Sequence, residues 1–179
     1  MKKSIFILAS LMVATFANAQ EYKVEGSSVV FTKVIENTGL SIKDAHTALE
    51  AFFALRYNDV NSTQKLNQED HLIYKGLFMN VHAYSRGIWV NDVPHTVDVA
   101  IKENRVRIKI ILDEGICRCT QNLNRYTYLI SDSAPIGNNH KNILKPVAQK
   151  TFDGACVRIQ SLFADIEKAL QTNTLQEDW

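Results

Sequence analysis

The sequence predicts an α+β domain, in the order strand, helix, several antiparallel strands, helix. Three stretches carry that reading. Residues 95–112 alternate apolar and polar side chains as two strands around a tight loop. Residues 41–57 and 148–170 repeat their apolar side chains at helical spacing.

The chain opens with Lys2 and Lys3, an apolar run from Ile5 to Phe16, and then Ala17, Asn18 and Ala19. A positive start, an apolar middle and an A-x-A end make residues 1–19 a secretory signal peptide, too short to span a bilayer. No cysteine follows the cleavage site, so the expected product is no lipoprotein. It starts at Gln20, in a periplasm of the Gram-negative type or outside the cell. The signal takes two lysines and no acid from 20 basic and 19 acidic residues, leaving 18 against 19. Near-neutral charge and export both argue against nucleic-acid binding. After a lead-in at 20–27, residues 28–170 suit one domain with a full core.

Ser28–Glu36 is rich in β-branched residues and ends at Asn37, Thr38 and Gly39, a turn signal. Ser41 then starts a helix, with Asp44 three positions on as a near capping box. Ile42, Ala45, Leu49, Phe52 and Phe53 share one helical face, while Lys43, Glu50 and Arg56 fall elsewhere. Turn formers stop the helix near Tyr57. Residues 71–82 read as a long strand, in which Gly76 suggests a bulge or bend. Asn91, Asp92 and Pro94 read as a turn into the central hairpin. Trp89 beside that turn is a candidate binding residue, or else it caps one end of the core.

In the hairpin, Glu103 and Asn104 form the loop, since Asn tolerates the left-handed backbone such loops require. Ile101 then faces Val106, Val99 faces Ile108 and Val97 faces Ile110, with Asp98 opposite Lys109 as a cross-strand ion pair. A one-residue slip would set aliphatics against charges. The wet face carries Lys102, Arg105, Arg107 and Lys109, a basic strip suited to phosphates or acidic glycans, or a plain solvated face.

Residues 113–147 are the least legible. Asp113, Glu114 and Gly115 end the hairpin, residues 126–130 suggest a short extra strand, and Pro135 and Gly137 mark a loop. From 148 to 170, Phe152, Ala155, Cys156, Ile159, Leu162, Phe163, Ile166 and Leu170 form one stripe, so this helix packs on the sheet. Residues 171–179 form a polar tail, with Trp179 a possible contact.

An oxidising compartment permits one disulfide among Cys117, Cys119 and Cys156. A bridge between Cys117 and Cys119 is strained along one strand, so Cys156 pairing with either is expected. The alternative is a reactive C-x-C beside Arg118. His95 and Asp98 alternate to opposite faces of one strand, which spoils them as a metal pair, and no cofactor signature is present.

On the strand Ser28–Glu36, the helix at 41–57, the glycine-centred Leu72, Ile73, Tyr74, Lys75, Gly76, and the hairpin with Arg105, Val106 and Arg107 after its turn, the chain resembles the exported bacterial domain of unknown function 4468. That family is described as having a TBP-like (TATA-box-binding-protein-like) fold. The match spans residues 28–112 and leaves the C-x-C outside. The resemblance implies one antiparallel sheet with two helices packed on one face. It carries over no catalytic residue, and the fold name implies no DNA binding.

These readings point to a non-catalytic envelope module. It would bind a protein or glycan through the open sheet face (Lys102, Arg105, Arg107, Lys109) and Trp89. The rival is a periplasmic redox or hydrolytic enzyme using Cys117 or Cys119 with a histidine such as His140. No nucleophile elbow or phosphate loop supports it. A third reading is a structural subunit of an envelope assembly.

Overall fold

The computed structural model describes residues 22–57, 63–122, 124–132 and 145–172. The expected signal peptide, Pro135, His140 and residues 173–179 of the polar tail lie outside these described residues, while the tail's first two residues belong to the final helix.

The sheet is built around the hairpin of β5 (Trp89–Lys102) and β6 (Arg105–Leu112). Its loop is Glu103 and Asn104, with Asn104 at φ 57°. The register pairs Ile101 with Val106, Val99 with Ile108 and Val97 with Ile110, as the alternation predicts. Asp98 does fall opposite Lys109, but the expected ion pair is replaced. His71, on the strand to the other side, lies 3.0 Å from the Asp98 carboxylate. An exposed lysine pair is worth too little to compete with that shorter-reaching partner.

β2 (Ser28–Glu36) runs antiparallel to β6, and β1 (Tyr22–Glu25) folds back on β2 across Gly26, making the lead-in an edge strand. β4 (His71–Tyr84) lies on the far side of β5, with short β3 (Gln64–Gln68) beyond it. The path is β1-β2-β6-β5-β4-β3. One cross-strand row, Phe31, Ile110, Val97 and Tyr74, shows how the core is made, since none of the four is exposed.

Both helices cover that face. α1 (Ile42–Arg56) is capped by the Ser41 hydroxyl, which accepts from the Asp44 N–H at 3.2 Å. It buries Ala45, Ala48, Leu49 and Phe53, and the Phe53 ring stacks 4.3 Å from Tyr74. α2 (Lys145–Thr172) is longer than the periodic stripe, because Pro146 is tolerated in a first turn. It buries Phe152, Ile159, Leu162, Ile166 and Leu170, with Phe152 lying 6.3 Å from Phe31. The result is an α+β fold with an antiparallel sheet and two helices on one side.

Three expectations change. Asn91, Asp92 and Pro94 form no turn but lie within β5. Thr96 pairs with Ile111 while Asp92 pairs with Ile116, one residue out of step, so β6 and β7 (Glu114–Cys119) are one strand bent at a bulge. Pro94 sits opposite that bulge, where its missing N–H breaks no ladder. Gly115 therefore ends nothing. A Cβ there would lie 2.3 Å from the Tyr128 ring, so glycine leaves room for β8 (Arg125–Leu129) to pair with β7. Gly76 pairs with His95 in unbroken register, and the β4 bulge comes later, between Phe78 and His82.

Candidate functional site

The uncovered face of the sheet follows from alternation. Along β6, Val106, Ile108 and Ile110 point at the helices, so Arg105, Arg107 and Lys109 point away. Lys102 lies opposite Arg105 at the hairpin end, and Ala100 opposite Arg107. Arg105 is paired with Glu36 at 3.0 Å. Lys102, Arg107 and Lys109 make no ion pair among the described residues. Val34, Ala100, Lys102, Arg105 and Arg107 line a depression of about 370 Å³. Three cations thus surround a floor of two small apolar side chains, a surface that attracts anions and seats a narrow apolar group.

Trp89 is elsewhere. It shares strand parity with His95 and Val97, which face the helices, and it stands thirteen positions from Lys102 on the same strand. At ~3.3 Å per residue that is roughly 40 Å. Its half-buried ring leans on Tyr126 at 5.7 Å. The basic strip and Trp89 therefore do not form one surface.

The cysteines also part company. All three are free, which corrects the expected Cys156 bridge. Cys117 is buried under the Tyr84 hydroxyl of β4, 3.3 Å away, and Cys119 is buried at the end of β7. Cys156, on α2, is half-buried and packs against the same core. Burial, then nearby Asp153, pushes the Cys156 thiol up to about 11, so it stays protonated at neutral pH.

Two buried polar groups escaped the sequence reading. His95 is 4% exposed; its ring stacks 3.8 Å from Phe78, and its Nε2 shares a 2.9 Å hydrogen bond with the Tyr57 hydroxyl. Burial drives its pKa down to about 4, so the imidazole is neutral. The Val93 backbone opposes this, and the buried Nδ1 has no hydrogen-bond partner among the described residues. Burial likewise pushes the Tyr57 hydroxyl up to about 12. Gly76 makes the arrangement possible, because a Cβ would stand 2.5 Å from His95 Nε2 and 2.6 Å from Tyr57 Cε1. Gly76→Ala is expected to cost about 1–3 kcal/mol in chemical denaturation, since stacked His95 has nowhere to retreat. An unchanged midpoint would mean the pair is loosely held.

On the open side, Asp92 is held by Arg118 Nε at 2.6 Å and by the Asn80 N–H at 2.7 Å. This explains a buried carboxylate in mid-strand, and Asn80 reaches it from the β4 bulge at φ 52°. Local sequence carried no signal for either group, because each partner comes from another strand or helix. No cluster of three or more metal-binding side chains occurs among the described residues.

No protein-family model matches the chain. No curated protein matches it in sequence. Solved structures do resemble it. A TBP-like protein from Parabacteroides distasonis superposes with a TM-score of 0.67 at 15% identity, over 83% of this chain and 96% of its own. A DUF4468 family protein from Bacteroides ovatus superposes with a TM-score of 0.58 at 13% identity, over 83% of this chain and 90% of its own. The fold is thus the TBP-like one implied by the resemblance on residues 28–112, and the likeness covers more of the chain than those residues do.

Proposed function

We propose that this chain is an exported, non-catalytic envelope module whose uncovered sheet face binds an anionic partner, a protein or an acidic glycan. One observation carries the reading: both helices pack on one side, and the other side presents Lys102 and Arg107, without ion pairs among the described residues, around an apolar floor, with Lys109 further along the same strand face. Export rests on the signal at residues 1–19. A cysteine enzyme is less well supported, because the thiols of Cys117 and Cys119 are buried and that of Cys156 is protonated.

The test is affinity capture of tagged protein from native envelope extract, with intact mass read on the same sample. The mass should correspond to a chain starting at Gln20. Capture should fall at least tenfold when Arg105 and Arg107 are both changed to Glu. Surface changes of this kind shift stability by only about 0.5 kcal/mol, so an unchanged melting temperature shows the loss is local. Trp89→Ala should leave capture intact, because Trp89 belongs to the other face. Capture lost with Trp89 and kept with the reversed arginines would sink the assignment of the face.

A further inference from the structure

We infer that this face holds a phosphate monoester carried on a glycan, seated between Lys102, Arg105 and Arg107, an inference that rests on the functional reading of the face and names its ligand. The cations stand on β5 and β6, the two central strands of the sheet, so the hairpin fixes their spacing whatever lies beyond β2. Lys102 and Arg105 close the two-residue turn as a hydrogen-bonded pair, with α-carbons about 5.5 Å apart. Arg107 is two residues on from Arg105, about 7 Å along the strand, and diagonal to Lys102 at about 7–8 Å. Beside Arg107 stand Ala100 on β5 and Val34 on β2, and neither competes for its guanidinium. All three cations line the one depression.

Charge sets the ligand. Arg105 gives Nη2 to Glu36, an exposed pair of the kind worth little, and its Nε and Nη1 donors have no partner among the described residues. Lys102 and Arg107 make no ion pair among the described residues. Three cations less Glu36 leave a surplus of two positive charges. A phosphate monoester carries about −1.5 to −2 at neutral pH and offers three acceptor oxygens, one for each cation. A lone carboxylate would leave one positive charge unmatched.

The acids around the site exclude a longer anion. Asp98 lies one rung beyond Ala100 and Arg107, opposite Lys109, and His71 holds it at 3.0 Å. Glu36 lies beside Arg105 on β2, and Glu103 is exposed in the turn. An acidic peptide or a polyuronate laid along β6 would meet Asp98 at one end and Glu36 or Glu103 at the other, with like charges opposed. A phospholipid surface would set anions against all three acids. A single phosphate meets only the cations. The depression of about 370 Å³ falls in the range of small-molecule sites, roughly 300–1,000 Å³, so it has room for a carrier beside the phosphate. Its floor of Val34 and Ala100 suits the carbon–hydrogen face of a sugar ring.

The probes are glucose 6-phosphate and glucuronate, which share a ring and differ in the acid at its sixth carbon, titrated by calorimetry into the purified protein. Glucose 6-phosphate should bind at least tenfold more tightly than glucuronate. Its affinity should fall as pH drops below about 6, where the phosphate loses its second charge. Lys102→Gln and Arg107→Gln should each weaken binding at least tenfold with an unchanged melting temperature. Lys109→Gln should leave it within twofold, because Lys109 stands outside the depression; a tenfold loss there would overturn the compact site. Inorganic phosphate should bind at least tenfold more weakly than glucose 6-phosphate, and equal affinity would overturn the glycan. Tighter binding to phosphatidic acid vesicles would replace the glycan with a lipid headgroup. If glucose 6-phosphate fails to bind, the phosphate site is overturned. Envelope capture that is still lost with the reversed arginines then keeps the anion-binding face, and unaffected capture removes the face as well.

Discussion

Leu162→Asp is expected to leave the protein without a cooperative unfolding transition. Leu162 lies in the middle of α2 and is fully buried, between Ile159 and Ile166 on the stripe that covers the sheet. Removing a buried leucine side chain alone costs about 2–5 kcal/mol. An unpaired carboxylate in the same place adds several kcal/mol more, or must be protonated to stay. The total reaches the whole stability of an ordinary domain, roughly 5–15 kcal/mol. Near-ultraviolet circular dichroism and a thermal melt read the result. Gln160→Asp, an exposed position on the same helix, should stay within about 0.5 kcal/mol of the parent. A normal melt for Leu162→Asp would show that α2 is peripheral to the core.

The second large effect is on the pH dependence of stability, through His95. Its pKa is about 4 when folded, against an ordinary 6.5, because burial disfavours the imidazolium. Between these values the unfolded chain binds a proton that the folded one refuses. Stability therefore falls as pH drops from 6.5 toward 4, and this contribution is intact above 6.5. At 1.36 kcal/mol per pKa unit the loss approaches about 3 kcal/mol. Stacked Phe78, the Tyr57 hydroxyl and nearby Arg56 offer the charged ring no acceptor with negative charge. The measurement is urea unfolding across that window for the parent and for His95→Gln. The parent should lose about 3 kcal/mol more than the variant between pH 6.5 and 4. Equal slopes would show that His95 does not enter the folded core neutral.

Some of this architecture is written locally. The central hairpin announces its loop, register and faces because every pair obeys one alternation and Asn104 suits the left-handed turn. Ser41 caps α1 because the cap needs only Asp44, three residues on. The basic strip follows from the same alternation. What misled was chemistry satisfied from a distance. Asn91, Asp92 and Pro94 have turn composition, yet Tyr128, Arg118 and the bulge opposite Pro94 let a strand pass through them. Gly76 reads as a bend, yet it serves the His95–Tyr57 contact, thirty-eight residues apart in sequence.

The sequence by itself determined the hairpin, the two amphipathic helices and the identity of the basic residues. These depend on neighbours within a turn or along a strand, where period and capping act directly. Only the tertiary structure decided that both helices share one face, that Trp89 lies on the side opposite the cations, and that the cysteines stay apart. Each of these is set by which strands become neighbours, and that choice is made by the summed burial of the whole core rather than by any short stretch of it.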